Sequence, residues 1–235
     1  MASRKKSRRE LLKKPDEFIT LTGRTIQFAS DYQKQITYGL CVLVAVALAI
    51  FGYRFFAQRA ETKAFALLAQ AMASYEADKK ASSPKEAYNK VSEEFQRIIK
   101  KYGGNAGGKL ARIRYANISY EAGDYHNAIE LYKQSLNDYK DNQLVYDLIL
   151  SSLGYAYENI GDDRNAAKYF EELSKAPDMG IRDEAFFNLG LLYKKLGDVA
   201  GSRKAFQEII SNYPNSMYFD IAQEKLSAKG VDSSS

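Results

Sequence analysis

The stretch that decides the fold spans residues 188–216 and reads NLGLLYKKLGDVAGSRKAFQEIISNYPNS. A glycine-aspartate pair, Gly197 and Asp198, divides it into two segments, and neither segment keeps the apolar-polar alternation of a strand. Glycine tolerates the left-handed backbone conformation that commonly ends a helix. The stretch therefore predicts two helices joined by a tight turn.

The same pattern occurs twice more upstream. Gly123-Asp124 and Gly161-Asp162 precede Gly197-Asp198 at spacings of 38 and 36 residues. A small and an aromatic residue come before each pair, and a second small residue, followed four positions later by an aromatic residue, comes after it. These residues are Ala116 and Tyr120, Gly154 and Tyr157, and Gly190 and Tyr193 before the pairs, and Ala128 and Tyr132, Ala166 and Phe170, and Ser202 and Phe206 after them. The small residues let two helices approach closely, and the last aromatic residue is predicted to pack against the next repeat. Because one such hairpin cannot bury its apolar face alone, the three are predicted to stack.

The three units resemble tetratricopeptide repeats, with predicted limits at residues 109–142, 147–180 and 183–216. The third unit has the family's residues at Leu189, Gly190, Tyr193, Gly197, Phe206 and Pro214. The first two depart from the family at the closing proline, where Lys140 and Asp178 stand. The resemblance implies an all-α fold in which the repeats form an α-solenoid.

The segments around the three units complete the predicted solenoid. Residues 57–102 are predicted to form a degenerate hairpin of the same kind, with the loop DKKASSP at 78–84 in place of the tight turn. The glycine-rich segment GGNAGG at 103–108 is predicted to be a flexible joint. After the last repeat, residues 217–229 are predicted to form a capping helix and residues 230–235 a disordered tail.

A charge-free apolar run, QITYGLCVLVAVALAIFGY, occupies residues 35–53. At about 1.5 Å per residue, a helix of this length extends roughly 28 Å, close to the hydrocarbon core of a bilayer. We therefore predict a transmembrane signal anchor at residues 36–56. A cleaved signal peptide and a buried helix of a soluble domain are the alternatives. The run is long for a signal peptide and starts far from the N-terminus, and no neighbouring segment is suited to enclose it.

The net charge of +5 is concentrated before this run. Residues 1–35 hold nine Lys/Arg and four acidic residues, whereas the other 200 residues hold 25 of each kind. Because Lys and Arg resist translocation, residues 1–35 are predicted to be a cytoplasmic tail and the repeats to lie on the opposite side of the membrane. The basic cluster at 4–14 is predicted to contact anionic lipid, and residues 15–35 to form an amphipathic helix on the membrane surface. The neutral remainder argues against nucleic-acid binding, which requires a concentrated basic face.

Catalytic and metal-binding motifs are missing from the sequence. His126 is the only histidine and Cys41 the only cysteine, whereas zinc sites need several such residues. The segment at 103–108 lacks the Lys-Ser/Thr pair of a phosphate-binding loop. The sequence therefore predicts a protein that is not an enzyme and that holds no cofactor or metal ion.

A tetratricopeptide stack implies a groove along the first helices of its hairpins. Carrying the family's groove positions onto this chain gives Ile113, Asn117 and Tyr120 in the first unit, Ser151, Tyr155 and Glu158 in the second, and Phe187, Leu191 and Lys194 in the third. Such a mixture of aromatic, aliphatic and amide groups suits extended or helical peptides with apolar anchors. The alternative for each residue is that it only packs between repeats. The lysine and asparagine set of a carboxylate clamp is absent as a group.

The order of basic tail, single anchor and repeats resembles the family of the ancillary subunit of the bacterial Sec translocon, over about residues 28–216. This resemblance implies a non-enzymatic inner-membrane adaptor. Its partners would be translocon subunits, exported clients or periplasmic chaperones. The alternative is an envelope scaffold that coordinates peptidoglycan, division or outer-membrane assembly complexes through the same groove. Self-association into a homo-oligomer is open in either case.

Overall fold

A computed structural model describes residues 17–177 and 179–227, with side chains described for 23–177 and 180–227. Several predictions fall outside these ranges: the basic cluster at 4–14, the tail at 230–235, and Asp178, where the second unit lacks its proline. All regular secondary structure within the described residues is helical, which confirms the predicted all-α class.

Ten helices occupy the described part of the chain. In chain order they are α1 (Glu17–Asp31), α2 (Gln33–Ala81), α3 (Pro84–Tyr102), α4 (Ala106–Glu121), α5 (Tyr125–Tyr139), α6 (Gln143–Asn159), α7 (Asp163–Leu173), α8 (Met179–Lys195), α9 (Val199–Asn212) and α10 (Phe219–Ser227). Contacts divide the chain into two units, Met1–Arg59 and Ala60–Ser235.

The first unit contains α1 and the apolar part of α2. Helix α2 is long and apolar enough to cross a membrane, judged by length and composition, and none of its most apolar window is buried. Helix α1 lies where the amphipathic helix is predicted, with Ile26 and Phe28 exposed. The backbone N–H of Tyr32 donates to the carbonyl of Phe28, and that of Ile36 donates to the carbonyl of Tyr32. Helical hydrogen bonding thus continues through the junction of α1 and α2.

The second unit contains three helical hairpins, α4–α5, α6–α7 and α8–α9. Each turns at a glycine with positive φ, which is 82° at Gly123, 77° at Gly161 and 80° at Gly197. The aspartate after each glycine caps the next helix by accepting a hydrogen bond from the backbone N–H three residues on. Both roles of the Gly-Asp pair therefore follow from local backbone chemistry, and the predicted left-handed turns are confirmed.

Two of the hairpins have a glycine where the helices cross most closely. A Cβ atom at Gly154 would lie 2.5 Å from the ring of Phe170, and one at Gly190 would lie 2.5 Å from the ring of Phe206. Each ring therefore packs against the first helix of its own hairpin, whereas the repeat pattern predicts a contact with the next repeat. The Ser202 hydroxyl also donates to the Gly190 carbonyl at 2.6 Å, so small residues meet on both sides of this crossing.

The segment before the first clear hairpin differs from the prediction in three ways. Helix α2 continues past residue 56 to Ala81, so the degenerate hairpin has no separate first helix. Ser83 caps α3 and Pro84 begins it, which shortens the predicted loop at 78–84 to two residues. The predicted flexible joint at 103–108 is wrong, because Gly107 and Gly108 lie buried in the first turn of α4. A Cβ atom at Gly107 would lie 2.8 Å from that of Ala64, so glycine here permits close helix packing.

Candidate protein-interaction groove

A groove of about 530 Å³ opens between the first helices of two neighbouring hairpins. Its walls are α4 and α6, and two tyrosines of α5, Tyr132 and Tyr139, also line it. Four of the nine predicted groove residues lie in this lining: Ile113, Asn117, Ser151 and Tyr155. The structure therefore brings residues of the first two repeats together at one surface.

Helical spacing explains why these residues share the groove. Helix α4 contributes Leu110, Ile113, Arg114 and Asn117, and α6 contributes Leu148, Ser151, Ser152 and Tyr155. In each helix the four residues have the spacing i, i+3, i+4 and i+7, which places them on one face. Of these eight residues, the prediction does not include Leu110, Arg114, Leu148 and Ser152. This helical spacing could be read from the sequence. The groove positions carried over from the family, however, include only some of the residues on each helix face.

The apolar character of the groove comes mainly from aliphatic side chains. Ile113, Val145 and Ile149 lie in the lining, with Ile149 fully buried beneath it. Leu148 is 54% exposed at the surface of the groove, and Leu144, one turn earlier on α6, is 61% exposed. Exposed leucines beside a concave surface are suited to contact an apolar side chain of another molecule.

A partly buried hydrogen bond fixes the wall formed by α4. The hydroxyl of Tyr132 donates to Oδ1 of Asn117 at 2.7 Å. Burial raises the pKa of Tyr132 to about 12, so its hydroxyl keeps the proton that this bond requires. The Asn117 amide is therefore held in one orientation.

A second network ties the wall formed by α6 to α8. The hydroxyl of Tyr155 donates to Oε1 of Glu184 at 2.8 Å, and that of Ser151 donates to the same oxygen at 3.1 Å. The Asn188 amide donates to the Tyr155 hydroxyl at 3.1 Å. Burial and, after it, the bond to Glu184 raise the pKa of Tyr155. These two predicted groove residues thus use their hydroxyls within the fold and present mainly their carbon atoms to the groove.

The remaining predicted residues of the first two repeats lie beyond this lining. Tyr120 accepts a hydrogen bond from the Asn159 amide at 3.0 Å. Glu158 pairs with Lys195 at 2.8 Å. Both side chains join neighbouring hairpins.

The predicted residues of the third repeat are in a different environment. Phe187 stacks on Tyr218 with ring centroids 4.5 Å apart, and it meets Phe206 edge-on at 6.1 Å. Leu191 packs against the same apolar cluster, which includes Ala222 of α10. Lys194 is exposed. Phe187 and Leu191 therefore fit the alternative that some groove positions pack between elements.

His126 is exposed in the first turn of α5. Among the residues that the structure describes, no three or more His, Cys, Asp or Glu side chains are grouped as they would be to hold a metal ion.

A protein-family model described as a tetratricopeptide repeat-like domain matches residues 27–230. This chain belongs to that family. No curated protein is a match to the sequence. The three glycine turns and the hairpins that they join lie within the matched residues.

Solved tetratricopeptide-like structures share the fold. BtubC (BKLC) from P. vanneervenii has a TM-score of 0.52 at 16% identity, over 73% of this chain and 72% of BtubC. PilW, a widely conserved type IV pilus biogenesis factor, has a TM-score of 0.51 at 14% identity, over 65% of each chain. A tetratricopeptide repeat protein from Parabacteroides merdae has a TM-score of 0.54 at 17% identity, over 69% of this chain and 61% of that one. At these identities the likeness extends to the fold alone.

Proposed function

We propose that this protein is a non-enzymatic, membrane-anchored adaptor that binds segments of other proteins in the groove between α4 and α6. The observation that carries the proposal is the groove itself, in which exposed Leu148 lies beside the aliphatic lining and hydrogen bonds hold both walls. A preformed concave apolar surface reduces the ordering cost of binding. Protein partners are also what a tetratricopeptide-like domain is suited to bind.

The first unit, the charge distribution and the resemblance to the ancillary subunit of the translocon support a proposed location. We propose a single-pass inner-membrane protein whose N-terminus is cytoplasmic and whose repeats are periplasmic. Its support is the exposed apolar part of α2 and the excess of Lys/Arg in residues 1–35. The positive-inside rule converts this asymmetry into an orientation.

The partners that we propose are Sec translocon subunits, exported clients or periplasmic chaperones. The support is the order of tail, anchor and repeats, which resembles the ancillary subunit of the translocon. A second candidate is an envelope scaffold for peptidoglycan, division or outer-membrane assembly complexes. PilW shows that a protein of this fold can act in pilus biogenesis.

The test is site-specific photo-crosslinking in living cells, followed by mass spectrometry of the adducts. Leu148 is the best position for the crosslinking residue because it is exposed in the groove and has no hydrogen bond to lose. Tyr155 is less suitable, since replacing it would remove the hydroxyl that donates to Glu184. Arg203, exposed on α9, is the matched control outside the groove.

Each outcome of this experiment separates the candidates. Translocon subunits, exported precursors or periplasmic chaperones that are crosslinked from Leu148 and not from Arg203 support the first candidate. Cell-wall, division or outer-membrane assembly proteins support the scaffold. The same adducts from Leu148 and Arg203 would show that the groove is not the binding site. Cytosolic adducts alone would overturn the proposed orientation.

A further inference from the structure

We propose that the groove selects segments in which aliphatic side chains are accompanied by an acidic residue, and that Arg114 pairs with this acidic residue. This inference rests on the proposed function, because it names the chemistry of the segment that the groove takes. Its starting point is an asymmetry among the cations of α4.

Helix α4 carries three cationic side chains, of which two are paired. Asp138 of α5 forms an ion pair with Arg112 and lies 3.6 Å from Lys109. Arg114 is exposed and has no hydrogen bond or ion pair within the described part of the chain. Two of the cations are therefore compensated inside the fold, and the charge of Arg114 is left to interact with another molecule.

Arg114 is also the single charged side chain among the twelve described residues that line the groove. The other side chains are aliphatic, aromatic, hydroxyl or amide groups. An acidic residue beside an apolar anchor would match this surface in both polarity and charge. The guanidinium group is suited to the task because its planar fork matches a carboxylate.

The far wall of the groove sets the orientation of the bound segment. Glu184 of α8 lies behind Ser151 and Tyr155, which donate to its Oε1. Its negative charge disfavours a second carboxylate at that wall. We therefore place the acidic residue of the segment beside α4, with its aliphatic residues against Ile113 and Leu148. A lysine in the acidic position would be repelled by Arg114, which adds specificity.

The test uses three synthetic fluorescent peptides with the same leucine-rich core, flanked by aspartate, by serine or by lysine. Binding is measured by fluorescence anisotropy with the full-length protein in phosphatidylcholine nanodiscs, and empty nanodiscs correct for binding to lipid. The variants are Arg114→Gln, the conservative Arg114→Lys, Arg203→Gln as the matched exposed control, and Leu148→Ala to test the apolar part of the groove. Circular dichroism compares the folding of all four variants with that of the parent protein.

The expected result is that the aspartate peptide binds about fivefold more tightly than the serine peptide, the difference that one exposed ion pair supplies. Arg114→Gln should abolish this preference, Arg114→Lys should keep part of it, and Arg203→Gln should keep all of it. Raising the salt concentration should narrow the difference between the peptides. Equal binding of the aspartate and serine peptides, or a preference that survives Arg114→Gln, would overturn the inference.

The Leu148→Ala variant distinguishes two cases: the groove binds segments without selecting acidic ones, or the groove does not bind segments at all. If it weakens all three peptides equally while Arg114→Gln has no effect, the groove binds segments but does not select acidic ones. If no peptide binds, or if Leu148→Ala changes nothing, both proposals fail at this groove. If sedimentation shows that the protein self-associates and that Leu148→Ala abolishes this, a second copy occupies the groove and the acidic segment is ruled out.

Discussion

Helices α6 and α8 hold the same position in consecutive hairpins, but their outer faces differ. Both cross the next helix at a glycine covered by a phenylalanine ring, Gly154 by Phe170 and Gly190 by Phe206. On α6 the outer face leaves Leu148 exposed to the groove, whereas on α8 Phe187 is covered by Tyr218. The repeated sequence thus determines the inner contacts of a hairpin, and the elements that follow it in the chain determine whether its outer face is open.

The largest effect should come from the close glycine crossing that α6 and α8 each make within their own hairpin. Gly190→Leu would place a side chain where a Cβ atom alone lies 2.5 Å from the Phe206 ring. We expect a loss of about 3 kcal/mol in the free energy of unfolding, at the upper end of typical overpacking effects, and the same for Gly154→Leu. Urea unfolding of the full chain in detergent, followed by circular dichroism, measures both.

Gly104→Leu is the matched control for this pair. A Cβ atom at Gly104 meets no other atom within 4 Å, so the same substitution should cost far less there. Unchanged unfolding of Gly190→Leu would contradict the close crossing of α8 and α9. A large loss of unfolding free energy for only one of the two glycine variants would show that the helices do not cross equally closely in the two hairpins.

The next effect separates the two outer faces. Phe187→Ala removes a ring that stacks on Tyr218 at 4.5 Å, and we expect a loss of about 2 kcal/mol, less than for a fully buried phenylalanine. Leu148→Ala changes an exposed side chain, and we expect a change within about 0.5 kcal/mol. Equal losses in the same urea experiment would mean that Leu148 is also covered, and would remove it from the groove surface.

Much of this architecture could be predicted from the sequence, because it depends on local chemistry. The Gly-Asp turns follow from backbone conformation and helix capping, and the small residues mark close helix crossings. The segment at 103–108 departs from its prediction because the deciding contact is not local. Its glycines predict flexibility, but Gly107 is needed because Ala64, a residue distant in sequence, packs against it.

The groove was less predictable because it depends on contacts between hairpins. No local signal shows that Tyr218 covers Phe187, or that Glu184 engages both Ser151 and Tyr155. Arg114 was missed because its importance lies in what its neighbours do: Asp138 pairs with Arg112 and leaves Arg114 unpaired within the described residues. Charge compensation of this kind is a property of the folded surface.

A smaller effect concerns the network that joins α6 to α8. Tyr155→Phe removes the hydroxyl that donates to Glu184 and accepts from Asn188, and we expect a loss of about 1 kcal/mol at neutral pH. The pKa of Tyr155 is raised in the folded protein by burial and by the bond to Glu184. Its contribution is therefore complete below the ordinary tyrosine pKa of about 10 and declines as the pH rises above that value.

The pH dependence of unfolding distinguishes this account from a simple loss of packing. The stability of the parent protein should fall more steeply above pH 10 than that of Tyr155→Phe, because the variant has no phenolic proton to lose at this position. The difference between them should then shrink as the pH rises, as measured by urea unfolding at several pH values. A constant difference would indicate that the pKa of Tyr155 is not raised in the folded protein.

The smallest effect is expected at the exposed ion pair between Lys195 of α8 and Glu158 of α6. Lys195 lies 2.8 Å from Glu158 and 3.5 Å from Asp163, and its side chain is 50% exposed. Because solvent screens exposed ion pairs, Lys195→Gln should change the free energy of unfolding by less than about 0.5 kcal/mol, and Lys194→Gln, the adjacent control, by less still. A loss above about 1 kcal/mol in low salt that disappears in high salt would show that the pair holds the hairpins together. With the expected result, the shape of the groove depends on the glycine crossings and on the Tyr155 network. Changes to exposed charges such as Arg114 would then alter recognition and leave that shape intact.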